Sequence, residues 1–368
     1  MIVEAALADG PGRSFTLEAV ELDEPRADEI LVRVVACGIC HTDVSMREFW
    51  PRIPGNDGRY PVVFGHEGAG VVEQVGDGVE RVRPGDAVVI SYRSCRACPE
   101  CASGRPYYCA RFAALNASGV RPDGSTTMRA DGRPVYGSFF GQSSFATHAL
   151  AYEDNVVVVG GDVDLSVAAP FGCGVQTGAG TVMNVLELDE RSSLVVFGAG
   201  GVGLPAVMAA RALGVATIVV VDPVLGRRQL AAELGATVTL DPRVDDVVEA
   251  VRDHTRGGAT SAIETTAIVE VLLQALDCLG ARGTCVALGV GMPEFAFGME
   301  RLARGKSLRT TIEGDSDPHE LIPKLLELHA RGELPVERLI RTYRFAAFAQ
   351  AMDDAKSGAA IKPVLVFD

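Results

Sequence analysis

Cys95, Cys98, Cys101 and Cys109 stand in a C-x2-C-x2-C-x7-C pattern. Four thiolates so spaced close a tetrahedron around zinc with no open position, which makes a structural site. The segment that holds them, RSCRACPECASGRPYYC, is too polar to bury four thiols as core. Cys37-Gly38-Ile39-Cys40-His41 is harder to read, since it spells a c-type haem attachment, a redox dithiol or half of a zinc site. Haem c is installed outside the cytoplasm, and the N-terminus MIVEAALADG shows no basic stretch followed by an apolar one that would export the chain. His66, in FGHEGAG, lies between an apolar run and glycines, a poor place for a packed imidazole. A catalytic zinc needs three protein ligands and an open position. Cys40, His66 and Cys173 (in PFGCGVQTG) could supply them, but spacing alone does not show convergence across 173 − 40 = 133 residues. Cys278 and Cys285 read as core filling, His254, His319 and His329 as surface residues, and His148 as structural.

A second constellation is Gly198-Ala199-Gly200-Gly201-Val202-Gly203, a G-x-G-x-x-G directly after an apolar strand at 194–197. Gly198 makes the tight turn, Gly200 lets backbone approach a pyrophosphate, and Gly203 lets helix and strand pack closely. The helix N-terminus beyond offers unpaired N–H groups to the phosphates. Asp222 closes the next strand 222 − 203 = 19 residues on, where it would bond ribose hydroxyls and repel a 2′-phosphate. That favours NAD over NADP, a preference Arg227 and Arg228 could soften.

These residues need elements to position them. Before Arg111 the short apolar runs EILVRVVACGI, GAGVVEQVG and GDAVVISY, divided by turn dipeptides such as Pro84-Gly85, read as a compact, mostly β region. Residues 111–134 are polar and Gly-rich and read as a long loop. From Ser192 strands and helices alternate, which means β-α-β units and a parallel sheet. A helix in HELIPKLLELHARG and a strand in KPVLVFD follow. With 368 residues the chain should form two domains. Its net charge, 34 − 48 = −14, gives no electrostatic footprint for nucleic acid or anionic membrane. No apolar run approaches the roughly 20 residues of a membrane span. A cytoplasmic protein with its thiols reduced is expected.

CGICHTD, GHEGAG, the four-cysteine lobe, GCGVQTG, GAGGVG and the closing SGAAIKPVLVF together resemble the zinc-dependent medium-chain alcohol dehydrogenases over essentially the whole chain. YGSFFGQSSFATHAL and IEGDSDPHELIPKLLEL look most like the aryl- or benzyl-alcohol branch. The resemblance implies an α/β fold: a Rossmann doubly wound parallel sheet at 175–311, and a mostly β, GroES-like catalytic domain at 1–174 and 312–368. It implies NAD and two zinc ions, with Cys40, His66 and Cys173 on the catalytic one. Cys37 then becomes a packed strand residue, and the haem spelling an accident.

By the same resemblance Thr42 accepts the alcohol's proton, Asp43 orients the ligand histidine, and Glu67 coordinates or tunes the zinc. His41 touches the NAD pyrophosphate and Thr177 lies beside the nicotinamide. Lys362 keeps the charge of a family arginine at the pyrophosphate but loses its planar fork. Ser45 stands where many relatives carry a proton-relaying histidine. The relay then runs through ribose hydroxyls and water, or through Ser45, and alcohol oxidation calls for a higher pH.

The implied reaction is reversible oxidation of a primary alcohol to an aldehyde. Trp50, Tyr92, Phe139 and Phe140 are pocket candidates, and their π faces suit aromatic or allylic alcohols. The alternative is an S-(hydroxymethyl)thiol dehydrogenase, for which Arg47, Arg52 and Arg59 would receive an anionic carrier. A zinc-lobe docking protein fits the acidic charge poorly, and zinc-free quinone reductases lack the four-cysteine lobe. Pairing through 307–314 into a homodimer or homotetramer is implied, with a small-molecule alcohol or aldehyde as the other partner.

Overall fold

The computed structural model describes residues 1–56 and 58–368, which divide into two compact units. The first comprises Met1–Cys173, Asp317–Leu326 and Glu337–Asp368; the second comprises Gly174–Ser316 and Glu327–Val336.

The first unit opens with β1 (Ile2–Ala8), β2 (Thr16–Leu22), β3 (Glu29–Gly38), β4 (Val62–Val63), β5 (Glu67–Val75) and β6 (Ala87–Ile90). β7 (Met128–Ala130), β8 (Arg133–Val135), β9 (His148–Tyr152) and β10 (Val156–Val158) follow. The second unit carries β11 (Ser193–Phe197), β12 (Thr217–Val221), β13 (Val238–Leu240), β14 (Ala259–Glu264), β15 (Leu279–Ala287) and β16 (Ser307–Thr310). The chain then returns to the first unit with β17 (Ile340–Arg344) and β18 (Lys362–Val366).

β3 is the spine of the first unit. Its sequence EILVRVVACG is buried almost throughout, because β5 pairs along one edge while β9 and β18 share the other. The antiparallel registers Gly38↔Glu67 and Gly38↔Val364 gather the end of β3 and the starts of β5 and β18 at one end of the sheet. Cys40, His66, Glu67 and Lys362 therefore converge, although they come from distant parts of the sequence. Cys37 packs on this strand, and burial pushes its thiol well above the usual range. A second sheet, in the order β4-β1-β2-β7-β8, completes the unit.

Residues 111–134 are not the uninterrupted loop their polarity suggests. They contain a helix at Phe112–Asn116, all of β7 and the first two residues of β8. The three-residue strands are too short for alternation to show, yet Met128 and Ala130 are buried and β7 extends the sheet against β2. The polar residues have an internal use. Arg121 forks onto Glu29 at 2.6 and 3.0 Å and reaches Asp23 at 2.7 Å. Tyr152 also donates to Glu29, at 2.9 Å. Lysine has no such fork, so Arg121→Lys should lower the unfolding free energy by roughly 2 kcal/mol in denaturant titration.

In the second unit all strands run parallel in the order β13-β12-β11-β14-β15-β16. This is the doubly wound arrangement, with its switch point between β11 and β14. The strands are near-continuous apolar runs such as SLVVF and TIVVV because helices cover both faces.

Candidate active site

Cys40 is the N-cap of the helix His41–Phe49, and Asp43 is its third residue. Asp43 is fully buried and uses both carboxylate oxygens. Oδ2 accepts the Cys40 N–H at 3.0 Å, while Oδ1 takes the Gly65 N–H at 3.1 Å and His66 Nδ1 at 2.9 Å. A carboxylate only accepts, so Nδ1 carries a proton and Nε2 is the nitrogen left to face a metal. Nε2 is buried and meets no hydrogen-bond partner among the described residues. Around it, one ligand atom each from Cys40, His66, Glu67 and Cys173 lie within 4.8 Å of one another. An orphaned imidazole nitrogen among two thiols suits zinc.

Charges here are tightly linked. The hydrogen bond with Cys173 holds the Cys40 thiol well below its ordinary range against burial, and His66 adds to it. Burial opposes protonation of His66, yet Asp43 and Cys40 raise its pKa well above normal. Glu67 does not stand alone: Lys362 Nζ lies 2.8 and 2.9 Å from its two oxygens. Expected at the pyrophosphate, Lys362 is buried in this ion pair instead. A Cβ on Gly38 would come within 2.0 Å of Glu67 Oε2, so glycine leaves room for the carboxylate.

Gln142 escaped the reading of the sequence, where it looks like any polar loop residue. Its buried amide donates to the His66 and Ser91 carbonyls at 3.0 Å and accepts from the Gly68 N–H at 3.1 Å. It thereby fixes the backbone on both sides of Glu67. Ser91 in turn donates to the Gly172 carbonyl at 2.7 Å, beside Cys173. Because Asp43 orients His66, Asp43→Asn should weaken zinc retention about 10–100-fold, as measured by competition with a chromogenic chelator.

Cys95, Cys98, Cys101 and Cys109 form the second cluster. Backbone N–H groups of Cys98, Ala110 and Arg111 point at the sulfurs of Cys95, Cys98 and Cys109, 3.3–3.4 Å away. The N–H groups of Cys101 and Ala110 bring the Cys98 thiol down to about 6, while burial and the neighbouring thiols push Cys101 up to about 12. Four sulfurs gathered this closely could all ligate as thiolates on a cation, and zinc fits this donor set.

Gly198 makes its turn at φ 97°. A Cβ on Gly203 would lie 1.9 Å from the Gly198 carbonyl, whereas one on Gly200 would face open space. Gly201 and Val202 lead into the helix Gly203–Ala212. Asp222, at the end of β12, accepts the Ala199 and Val224 N–H groups at 2.9 and 2.8 Å. This open glycine turn facing a held carboxylate fits a dinucleotide. Arg227 lies 4.0 Å from Asp222, and Arg228 is held by the Asp222 carbonyl at 2.7 Å and by Asp241 at 3.1 Å.

Other expected residues fall variously. His41 is exposed at the helix start, with Thr42 and Ser45 half-buried behind it. Thr177 lies on the helix Gly174–Gly180. Trp50, Tyr92 and Phe139 are fully buried, and Trp50 donates to the Arg59 carbonyl at 2.9 Å. Phe140 is half-buried. Its ring lies 4.6 Å from the His66 ring, with that of Phe139 at 5.6 Å on a perpendicular plane. Phe140 holds φ 51°, a left-handed conformation rare for a bulky residue. His319 and His329 are half-buried rather than surface residues, because they bond the carbonyls of Asp154 and Leu334.

Comparison with known proteins agrees with this geometry. Residues 26–161 match the family described as "Alcohol dehydrogenase GroES-like domain", and residues 201–331 match "Zinc-binding dehydrogenase". The chain is 42% identical to a geraniol dehydrogenase of Castellaniella defragrans, over 99% of this chain and 97% of that one. A crystal structure of benzyl alcohol dehydrogenase from Acinetobacter calcoaceticus superposes with a TM-score of 0.94 at 37% identity, covering all of both chains. An alcohol dehydrogenase zinc-binding domain protein from Burkholderia ambifaria gives 0.95 at 44% identity, covering 100% of this chain and 99% of that one.

The chain belongs to the zinc-dependent medium-chain alcohol dehydrogenases. It is an oxidoreductase with the GroES-like and Rossmann-type halves of that family. Among the described residues, no helix is long and apolar enough to cross a membrane.

Proposed function

We propose that the protein oxidises a primary aromatic or allylic alcohol reversibly to its aldehyde, using NAD. The observation that carries this reading is the Cys40–His66–Cys173 cluster with its orphaned Nε2, flanked by the Phe139 and Phe140 rings. These three side chains would hold the catalytic zinc, and the four-cysteine cluster a structural one. Bound zinc would supply a Lewis acid that lowers the pKa of the alcohol, and bound NAD a hydride acceptor.

The chain's own groups do the rest. Asp43 fixes the tautomer and orientation of His66. Thr42 takes the alcohol's proton and passes it toward solvent by way of Ser45, water or ribose hydroxyls. Phe140 offers a π face beside the ligand set, which suits a planar apolar substrate. Asp222 holds the adenosine ribose and selects NAD, because Arg228 is already committed to Asp241 and is not free to receive a 2′-phosphate.

Edge strand β16 is where a second copy would pair, giving a dimer or a tetramer. The thiol-adduct reading draws less support. Arg59 donates to the Ser118 carbonyl at 2.6 Å, Arg52 lies over Phe49, and Arg47 lies over Phe15, so the three arginines serve three separate partners.

The test is NAD reduction with benzyl alcohol, geraniol, ethanol, and formaldehyde plus glutathione. Preference for the first two is expected. Activity confined to the glutathione adduct would overturn the substrate class.

A further inference from the structure

Thr177 is held by a residue that no motif singles out. Its hydroxyl donates to Glu313 Oε2 at 3.0 Å, and Gln176 Nε2 lies 3.3 Å from the same oxygen. Glu313 is only 8% exposed. It stands at φ 51°, followed by Gly314 at 67° and Asp315 at 47°, three left-handed residues in a row. Such backbone persists only where the surroundings over-determine it. Here Asn184 donates to the Gly314 and Asp315 carbonyls at 3.2 and 3.3 Å, Ser316 to the Glu313 carbonyl, and Thr311 to the Asp315 carboxylate. A Cβ on Gly314 would meet the Gln176 carbonyl and the Gly180 Cα at 2.7 Å. The loop is thus pressed against the helix that carries Thr177. A strained segment delivers a buried carboxylate to that hydroxyl.

We propose that Glu313 sets the preference of the site for the oxidised over the reduced cofactor. The inference rests on the reading above, in which NAD binds with its nicotinamide beside Thr177. The oxidised ring is cationic and the reduced ring is neutral. A carboxylate one hydrogen bond behind the residue that touches the ring attracts the first and is nearly indifferent to the second. Partial burial keeps that attraction from being screened as it would be in water. The expected contribution is about tenfold in the ratio of the two dissociation constants. Glu313 thereby favours capture of the oxidised cofactor and release of the reduced one.

The experiment is calorimetric titration of the zinc-loaded protein with NAD, NADH and ADP-ribose, which lacks the nicotinamide. Glu313→Gln should weaken NAD about tenfold and leave NADH and ADP-ribose within about twofold. Thr177→Val, which keeps the carboxylate, should loosen NAD and NADH alike and preserve their ratio. A parallel loss of all three ligands in Glu313→Gln, or no change in any, would overturn the proposal. So would loss of the ratio in Thr177→Val, a variant that stays informative if Glu313→Gln fails to fold. Failure of the wild type to bind NADH and ADP-ribose would instead remove the NAD reading, and this inference with it.

Discussion

His66→Ala is expected to lower kcat/KM for alcohol oxidation by on the order of 10³-fold, with the loss in kcat, and to release one zinc per chain. The removed ring is the one Asp43 orients through Nδ1, and its Nε2 has no hydrogen-bond partner among the described residues. Without it, the Cys40 and Cys173 thiols are left one donor short of the three-ligand set. A Lewis acid worth several kcal/mol at the transition state is lost, and each 1.36 kcal/mol is about tenfold in rate. Binding of NADH should stay within about twofold, since the glycine turn and Asp222 belong to the other unit. Metal analysis, steady-state kinetics and NADH titration check this together. A variant that keeps both zincs, or keeps its turnover, would remove His66 from the ligand set.

Lys362→Met should cost about 3–5 kcal/mol of stability in the first unit. Glu67 is 0% exposed and Lys362 4%, and each oxygen of the carboxylate has the ammonium within 2.9 Å. Burial alone pushes the Glu67 pKa up, and Lys362 is the first cause opposing that rise. Deleting the lysine removes the ammonium from a carboxylate that burial already penalises. The double variant Glu67→Gln, Lys362→Met removes both charges and should recover more than half of the loss, which denaturant unfolding will measure. Equal destabilisation in single and double variants would show that packing, not charge pairing, is what the lysine supplies.

These two residues also mark where reading the sequence stops. They lie 295 positions apart, and only the registers of β5 and β18 on β3 bring them together. The same registers, with the turn before Cys173, assemble the candidate metal cluster, so its members are recognisable as ligand types while their convergence is not. The four-cysteine lobe and the glycine turn are legible because each is local: ligands or glycines a few residues apart need no long-range pairing. Residues 111–134 mislead for the opposite reason, since strands of three residues carry no readable period and Arg121 looks like a solvated charge. Trp50 and Phe139 are legible as aromatics near the site, but their complete burial depends on packing against Phe64, at 5.4 and 5.1 Å. Glu313 and Gln142 offer no local signal, because their partners are backbone and side-chain groups supplied by distant segments.

The most direct test of the central claim is the rate of NADH formation from benzyl alcohol and from geraniol. It should be measured on purified protein as prepared, after a chelator has removed zinc, and after zinc is restored. Turnover should disappear with the metal and return with it. Undiminished turnover in zinc-free protein would contradict it.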